Sequence, residues 1–178
     1  WVGHPVVDRI QPPSTEDRRA LRAKLKVGRA PAVVGLLPGS RGTEIRCNAP
    51  EMLEAARRIA REIPDAAFLL SVAPSVSRDQ LEQMVARADL TERTVLVEGL
   101  TEIVLASDLV VASSGTATLE TAAAGCPMVI VYRGTRLMAL EKRLRRFAVP
   151  FVGLPNIIAD EEVVPELIHH DAKAEYIA

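Results

Sequence analysis

Val110-Val-Ala-Ser-Ser-Gly-Thr-Ala-Thr-Leu-Glu-Thr-Ala-Ala-Ala-Gly-Cys-Pro-Met-Val-Ile-Val-Tyr132 is the stretch that decides how this chain folds. It reads as strand, turn, short helix, strand. Leu109 to Ala112 is apolar and β-branched, as a strand buried on both faces of a parallel sheet should be. Ser113, Ser114, Gly115 and Thr116 make a tight turn without bulk. Ala117 to Ala124 is a strong helix former, stopped by Gly125 and Pro127. Met128 to Tyr132 is strand-like again. A helix opening from such a turn offers free backbone N–H groups and the positive end of its dipole, which suits an anion.

Glu120 is the unusual residue here. With Thr116 as N-cap, the capping-box position falls on Leu119, so Glu120 has no capping task. Two readings stand. It is a solvated glutamate stabilised by the helix dipole, or it accepts hydrogen bonds from sugar hydroxyls of a ligand whose phosphates sit at the helix start.

The same alternation extends in both directions. Trp1 to Ile10 reads as an extended lead-in, and Ser14 caps a helix running to about Lys26. Ala32 to Leu37 is an apolar strand closed by Pro38-Gly-Ser-Arg-Gly42. A helix follows over Ala49–Glu62, then a strand over Ala67–Val72 and a helix over Ser77–Ala88. Thr94–Val97 is a strand, Glu98-Gly99-Leu100 its turn, and Thr101–Ala106 a short helix. After Tyr132 the pattern predicts a helix over Leu137–Phe147 and an extended piece over Val149–Leu154. A turn at Pro155-Asn156 and a last helix over Glu161–Ile168 complete it, with Pro165 near that helix's first turn. Strand and helix alternate about five times, which predicts an α/β fold: a doubly wound, Rossmann-like parallel sheet with helices on both faces. Ligands of such sheets bind beyond the carboxyl ends of the strands. Pro38–Gly42, Glu98–Leu100 and Ser113–Thr116 all lie there.

Composition narrows the class. The 178 residues suffice for one domain with a sizeable core. A net charge of −1 and 3% aromatic residues argue against a nucleic-acid partner, whether held by charge or by stacking. Cys47 and Cys126 lie far apart and read as reduced thiols of a cytosolic protein. His4, His169 and His170 have no metal-ligand spacing, so no metal is expected. No apolar run reaches membrane-spanning length. A start at Trp1 without Met suggests a piece of a longer protein.

Two further motifs carry chemistry. In Gly39-Ser40-Arg41-Gly42 the glycines let the backbone approach a phosphate, Ser40 can donate, and Arg41 can pair with an anion. It is neither a P-loop nor a Gly-x-Gly-x-x-Gly fingerprint, and a plain strand-to-helix turn with a solvated arginine is the alternative. The segment from Arg133 to Arg146 sets Arg133, Arg136, Lys142, Arg143, Arg145 and Arg146 against one acid, Glu141. It fits an anionic membrane surface or a solvated basic face over a core stripe.

Taken together, five blocks resemble one known family. They are Val2-Gly-His-Pro-Val-Val-Asp8, Leu36-Leu-Pro-Gly-Ser-Arg-Gly-Thr-Glu-Ile45, Ala112-Ser-Ser-Gly-Thr-Ala-Thr-Leu-Glu120, Cys126-Pro-Met-Val-Ile-Val-Tyr-Arg133 and Val149-Pro-Phe-Val-Gly-Leu-Pro-Asn-Ile-Ile158, the last followed by Val163-Val-Pro-Glu-Leu167. In order and spacing the chain is similar to the C-terminal half of lipid-A-disaccharide synthases. The resemblance implies the nucleotide-holding domain of a B-type (GT-B) glycosyltransferase, with residues 1–178 as a single donor-binding domain. It implies that Gly39, Ser40 and Arg41 and the turn Ser114, Gly115, Thr116 and Ala117 contact a uridine diphosphate. Glu120 would hold the ribose, Gly99 and Leu100 would meet the uracil, and Asn156 would line the cleft.

The implied reaction is inverting transfer of diacylglucosamine from its UDP derivative to diacylglucosamine 1-phosphate, forming a β-1,6 bond and releasing UDP. It needs no cofactor or metal, takes its general base from an absent N-terminal half, and runs on the inner face of the cytoplasmic membrane. Arg136, Lys142, Arg143, Arg145 and Arg146 would face the lipid, and the full-length form would be a homodimer. Another UDP-sugar enzyme, such as an epimerase or muramyl-type transferase, and a non-catalytic interaction domain are the alternatives. One departure stands out: where the family pattern usually has Gly-Arg after Asn156-Ile-Ile-Ala, this chain has Asp160-Glu161.

Overall fold

The computed structural model describes residues 5–133 and 150–178. Helices α1 (Pro5–Arg9) and α2 (Thr15–Lys24) lead into strand β1 (Val33–Leu37). Then come α3 (Gly42–Glu62), β2 (Ala67–Ser71), α4 (Arg78–Arg87), a 3-10 turn (Thr91–Arg93), β3 (Thr94–Val97), α5 (Leu100–Ala106), β4 (Leu109–Ser113), α6 (Thr116–Ala123) and β5 (Met128–Tyr132). Helix α7 (Leu154–Ala159), strand β6 (Glu166–Ile168) and helix α8 (Ala174–Ile177) close the described chain.

Among the described residues, six strands form one parallel sheet in the order β3-β2-β1-β4-β5-β6. This is the doubly wound order, and the chain reverses its direction of travel across the sheet between β1 and β4. Every residue of β1 is buried, because helices cover both faces. Val34 and Leu36 pack with Ile45, Met52, Leu81 and Ile177 from α3, α4 and α8. Val33 and Leu37 pack on the other side with Val6, Leu25, Ile103 and Ala124. The two faces of one strand thus anchor the two helix layers.

Four expectations are corrected. Pro5–Arg9 is helical rather than extended. Proline is pre-set for a first helical turn, and Val6 and Ile10 are thereby buried against the sheet side that carries α6. Helix α3 begins at Gly42, seven residues before Ala49, and runs through Pro50. Its start is held by Glu44, whose carboxylate accepts from the Arg41 N–H, and packing of Ile45, Met52 and Leu53 outweighs the backbone bond that Pro50 forfeits. Pro155 and Asn156 lie inside α7, where Pro155 occupies the first turn.

The expected helix over Glu161–Ile168 is instead the edge strand β6, paired with Ile130–Tyr132. Val163, Val164, Leu167 and Ile168 imitate a helical apolar stripe. Pro165 precedes the strand, and its carbonyl accepts from the Ile130 N–H at 2.9 Å, a ladder bond that needs no donor on Pro165. Asp160, at the Gly-Arg departure, closes α7 with φ 55°, a left-handed cap that glycine adopts freely and Asp tolerates. The expected helix over Leu137–Phe147 lies outside the described residues, as do Arg136, Lys142, Arg143, Arg145 and Arg146.

Candidate functional site

The carboxyl ends of β1 to β4 converge on one cleft of about 430 Å³. Gly39, Ser40 and Arg41 come from the turn after β1, and Ser71 to Pro74 from the end of β2 and the turn after it. Glu98 and Leu100 follow β3, and Ser113 to Ala117 follow β4, with Glu120 one turn into α6. The cleft lies at the switch point between β1 and β4, where doubly wound sheets bind ligands. Nine expected site residues line it: Gly39, Ser40, Arg41, Leu100, Ser114, Gly115, Thr116, Ala117 and Glu120.

Gly99 is not on the wall; it is the N-cap of α5, between Glu98 and Leu100. Asn156 is not there either. It is fully buried. Its amide nitrogen donates to Val164 O and Glu166 Oε1, both at 2.8 Å. Its amide oxygen accepts from the N–H groups of Val163 at 2.9 Å and Val164 at 3.0 Å. With four bonds satisfied, Asn156 fastens α7 to the approach to β6. The last helix had to become a strand before this could be seen.

The turn after β1 is closed from within. Glu44 Oε2 accepts from the Ser40 N–H at 3.0 Å and the Arg41 N–H at 3.2 Å, while Oε1 pairs with Arg41 Nη1 at 2.8 Å. Burial alone would raise the Glu44 carboxyl, but the two N–H bonds and the Arg41 guanidinium together outweigh it and hold the group below its ordinary value. The loop wraps this carboxylate so closely that Gly39, at φ 117°, has no room for a side chain: a Cβ there would lie 2.6 Å from Glu44 Cβ. The Ser75 hydroxyl donates to the Ser40 carbonyl and braces the loop from the β2 side. Sequence reasoning missed Glu44, although a glutamate three residues after the N-cap is a capping signal. It also passed over the turn Ala73-Pro74, which follows an apolar strand as the other three turns do.

The turn after β4 is open. Gly115 is the N-cap of α6 and no side chain among the described residues caps it; the N–H groups of Thr116 and Ala117, in the first turn, lack the intrahelical partners that later turns have. Thr118 does not cap either: its hydroxyl donates to the Gly115 carbonyl at 2.7 Å. Ser114 is spent on structure, its N–H donating to Val131 O at 3.2 Å and its hydroxyl to Val152 O at 2.6 Å. Among the described residues, the wall carries one cation, Arg41, and three carboxylates, Glu44, Glu98 and Glu120. An anion in this cleft therefore relies on the α6 N–H groups and dipole more than on net charge.

Among the described residues, the lining contains no His, Lys or Cys. Cys126 lies elsewhere, buried, and burial pushes its thiol up to about 11, so it stays protonated and inert. No cluster of three metal-ligating side chains occurs among the described residues. No helix among them is long and apolar enough to cross a membrane.

Sheet order, switch-point cleft and open helix start define a doubly wound, Rossmann-like domain. The C-terminal domain of a group 1 glycosyl transferase from Francisella tularensis has this fold, with a TM-score of 0.62 at 20% identity over 96% of this chain and 83% of that one. A model of the lipid-A-disaccharide synthetase family matches residues 1–178. The chain belongs to the lipid-A-disaccharide synthase family. It is 42% identical to the synthase of Pseudomonas putida and 40% identical to that of Chromobacterium violaceum, over its whole length and 46% of theirs. The chain thus spans about half the length of the curated relatives it matches.

Proposed function

We propose that this chain is the donor-holding half of a lipid-A-disaccharide synthase and that its cleft takes the uridine diphosphate of a UDP-linked diacylglucosamine. The carrying observation is the uncapped start of α6 facing the switch-point cleft, with Glu120 one turn further along. The diphosphate sits against the N–H groups of Thr116 and Ala117. Glu120 accepts from the ribose hydroxyls, and Leu100 packs on the uracil. The leaving UDP is then stabilised by fixed backbone dipoles and Arg41, with no metal required.

The acceptor is diacylglucosamine 1-phosphate, and the base that activates its hydroxyl belongs to the part of the relatives that this chain does not match. Both substrates being lipids, the full protein works at an anionic membrane surface, with the basic segment after β5 as its contact, and as a homodimer. Calorimetric titration of the chain with UDP, with ADP as control, tests the nucleotide site. Saturable binding that prefers UDP and weakens about tenfold or more in Glu120→Ala, and less in Arg41→Ala, is the expected result. A folded chain that binds neither nucleotide would sink the reading.

A further inference from the structure

We propose that Asn48 is a positioning residue for the cleft: through one buried amide it sets the loop after β1 and ties it to the chain leaving β5. The proposal rests on the nucleotide reading of the cleft. Asn48 lies on α3 and is 1% exposed. Its Nδ2 donates to the Pro38 carbonyl at 3.1 Å, and its Oδ1 accepts from the Arg133 N–H at 3.1 Å. One turn along α3, Glu51 takes the Arg133 guanidinium with one carboxylate oxygen and the Ala174 N–H, at 2.9 Å, with the other. Arg133 also donates to the Ala172 carbonyl at 3.2 Å. Two side chains on one face of α3 thus join the cleft loop, the residue after β5 and the segment entering α8.

Asn48 differs from Glu51 in reaching the cleft. Pro38 begins the loop, and its peptide bond to Gly39 is trans. In a trans peptide the carbonyl and the N–H point in opposite directions. Drawing the Pro38 carbonyl toward Asn48 therefore turns the Gly39 N–H away from it. Gly39 lines the cleft, and its N–H has no partner among the described residues. The amide orients a backbone donor of the site that the Glu44 carboxylate has not taken. Because Asn48 also holds the Arg133 N–H, displacement of the chain at the start of the basic segment reaches the loop through a single side chain.

The test uses Asn48→Asp, which keeps an acceptor for Arg133 but opposes a carboxylate to the Pro38 carbonyl, and the smaller Asn48→Ser. Glu51→Gln leaves the Pro38 bond intact. UDP affinity is read by calorimetry, folding by thermal melting, and the loop by 15N amide shifts. Both Asn48 variants should bind UDP about tenfold more weakly. The Gly39, Ser40 and Arg41 amides should shift while those of Thr116 and Ala117 stay. Glu51→Gln should melt lower yet keep UDP affinity within about twofold. Wild-type affinity in a folded Asn48 variant, or unshifted loop amides, overturns the proposal. If the wild-type chain binds no UDP, the nucleotide reading falls by itself, and the loop amides still decide whether Asn48 positions the loop.

Discussion

The turns after β1 and after β4 look alike in sequence and differ in what they offer. Both follow a buried parallel strand at the switch point, both contain glycine and serine, and both open a helix. In the first, Glu44 has taken the N–H groups of Ser40 and Arg41 and the arginine as well. In the second no side chain among the described residues caps the helix, and the first-turn donors remain for a ligand. A glycine- and serine-rich turn thus offers an anion only those donors that no carboxylate of the chain has already taken.

The contrast breaks most severely at Gly39. Gly39→Ala meets both a left-handed φ and the Glu44 side chain. It should destabilise the chain by about 3 kcal/mol in urea unfolding and weaken UDP binding with it. Next comes Thr116→Pro, which removes one donor from the open turn. Proline suits the first position of a helix, so UDP affinity should fall about tenfold, or about 1.4 kcal/mol, with little change in melting temperature. An equal loss of stability would show that the turn after β4 is structural, like its counterpart.

The smallest effect falls on the carboxylate that closes the turn after β1. Glu44→Gln should cost about 1 kcal/mol at neutral pH, as a weakened helix cap does. Because the folded carboxyl lies below its ordinary value, that contribution is present above the unfolded pKa and is lost as pH falls through the folded one. The stability gap between the unaltered chain and the Glu44→Gln variant should therefore close in acid, below the usual glutamate range near 4.5. A gap independent of pH would mean that the carboxylate charge does not hold the loop.

Much of this was legible in the chain. The strands β1 to β5 announced themselves as short apolar runs closed by turn residues, because a sheet covered on both faces needs unbroken apolar strands. Ser14 and Ser77 were readable as caps, and each accepts from the backbone three residues on. Nine of the expected site residues meet in the cleft because the turns at strand carboxyl ends share one edge of a parallel sheet. Asn156 escaped because its neighbourhood was read as a turn before a helix. Its partners, Val163, Val164 and Glu166, come within reach only once β6 has paired with β5.

The sequence by itself determined the alternation of strand and helix, the parallel sheet, the turns at its ligand-binding edge and the family, since all of these are written in residues near one another in the chain. Only the tertiary structure decided the order of the strands, the edge strand β6, the burial of Asn156 and Asn48, and which of two similar turns kept its donors. These depend on groups far apart in sequence, or on which way a side chain turns once its backbone is packed. Residue order records local preference, whereas hydrogen-bond partners are settled by burial.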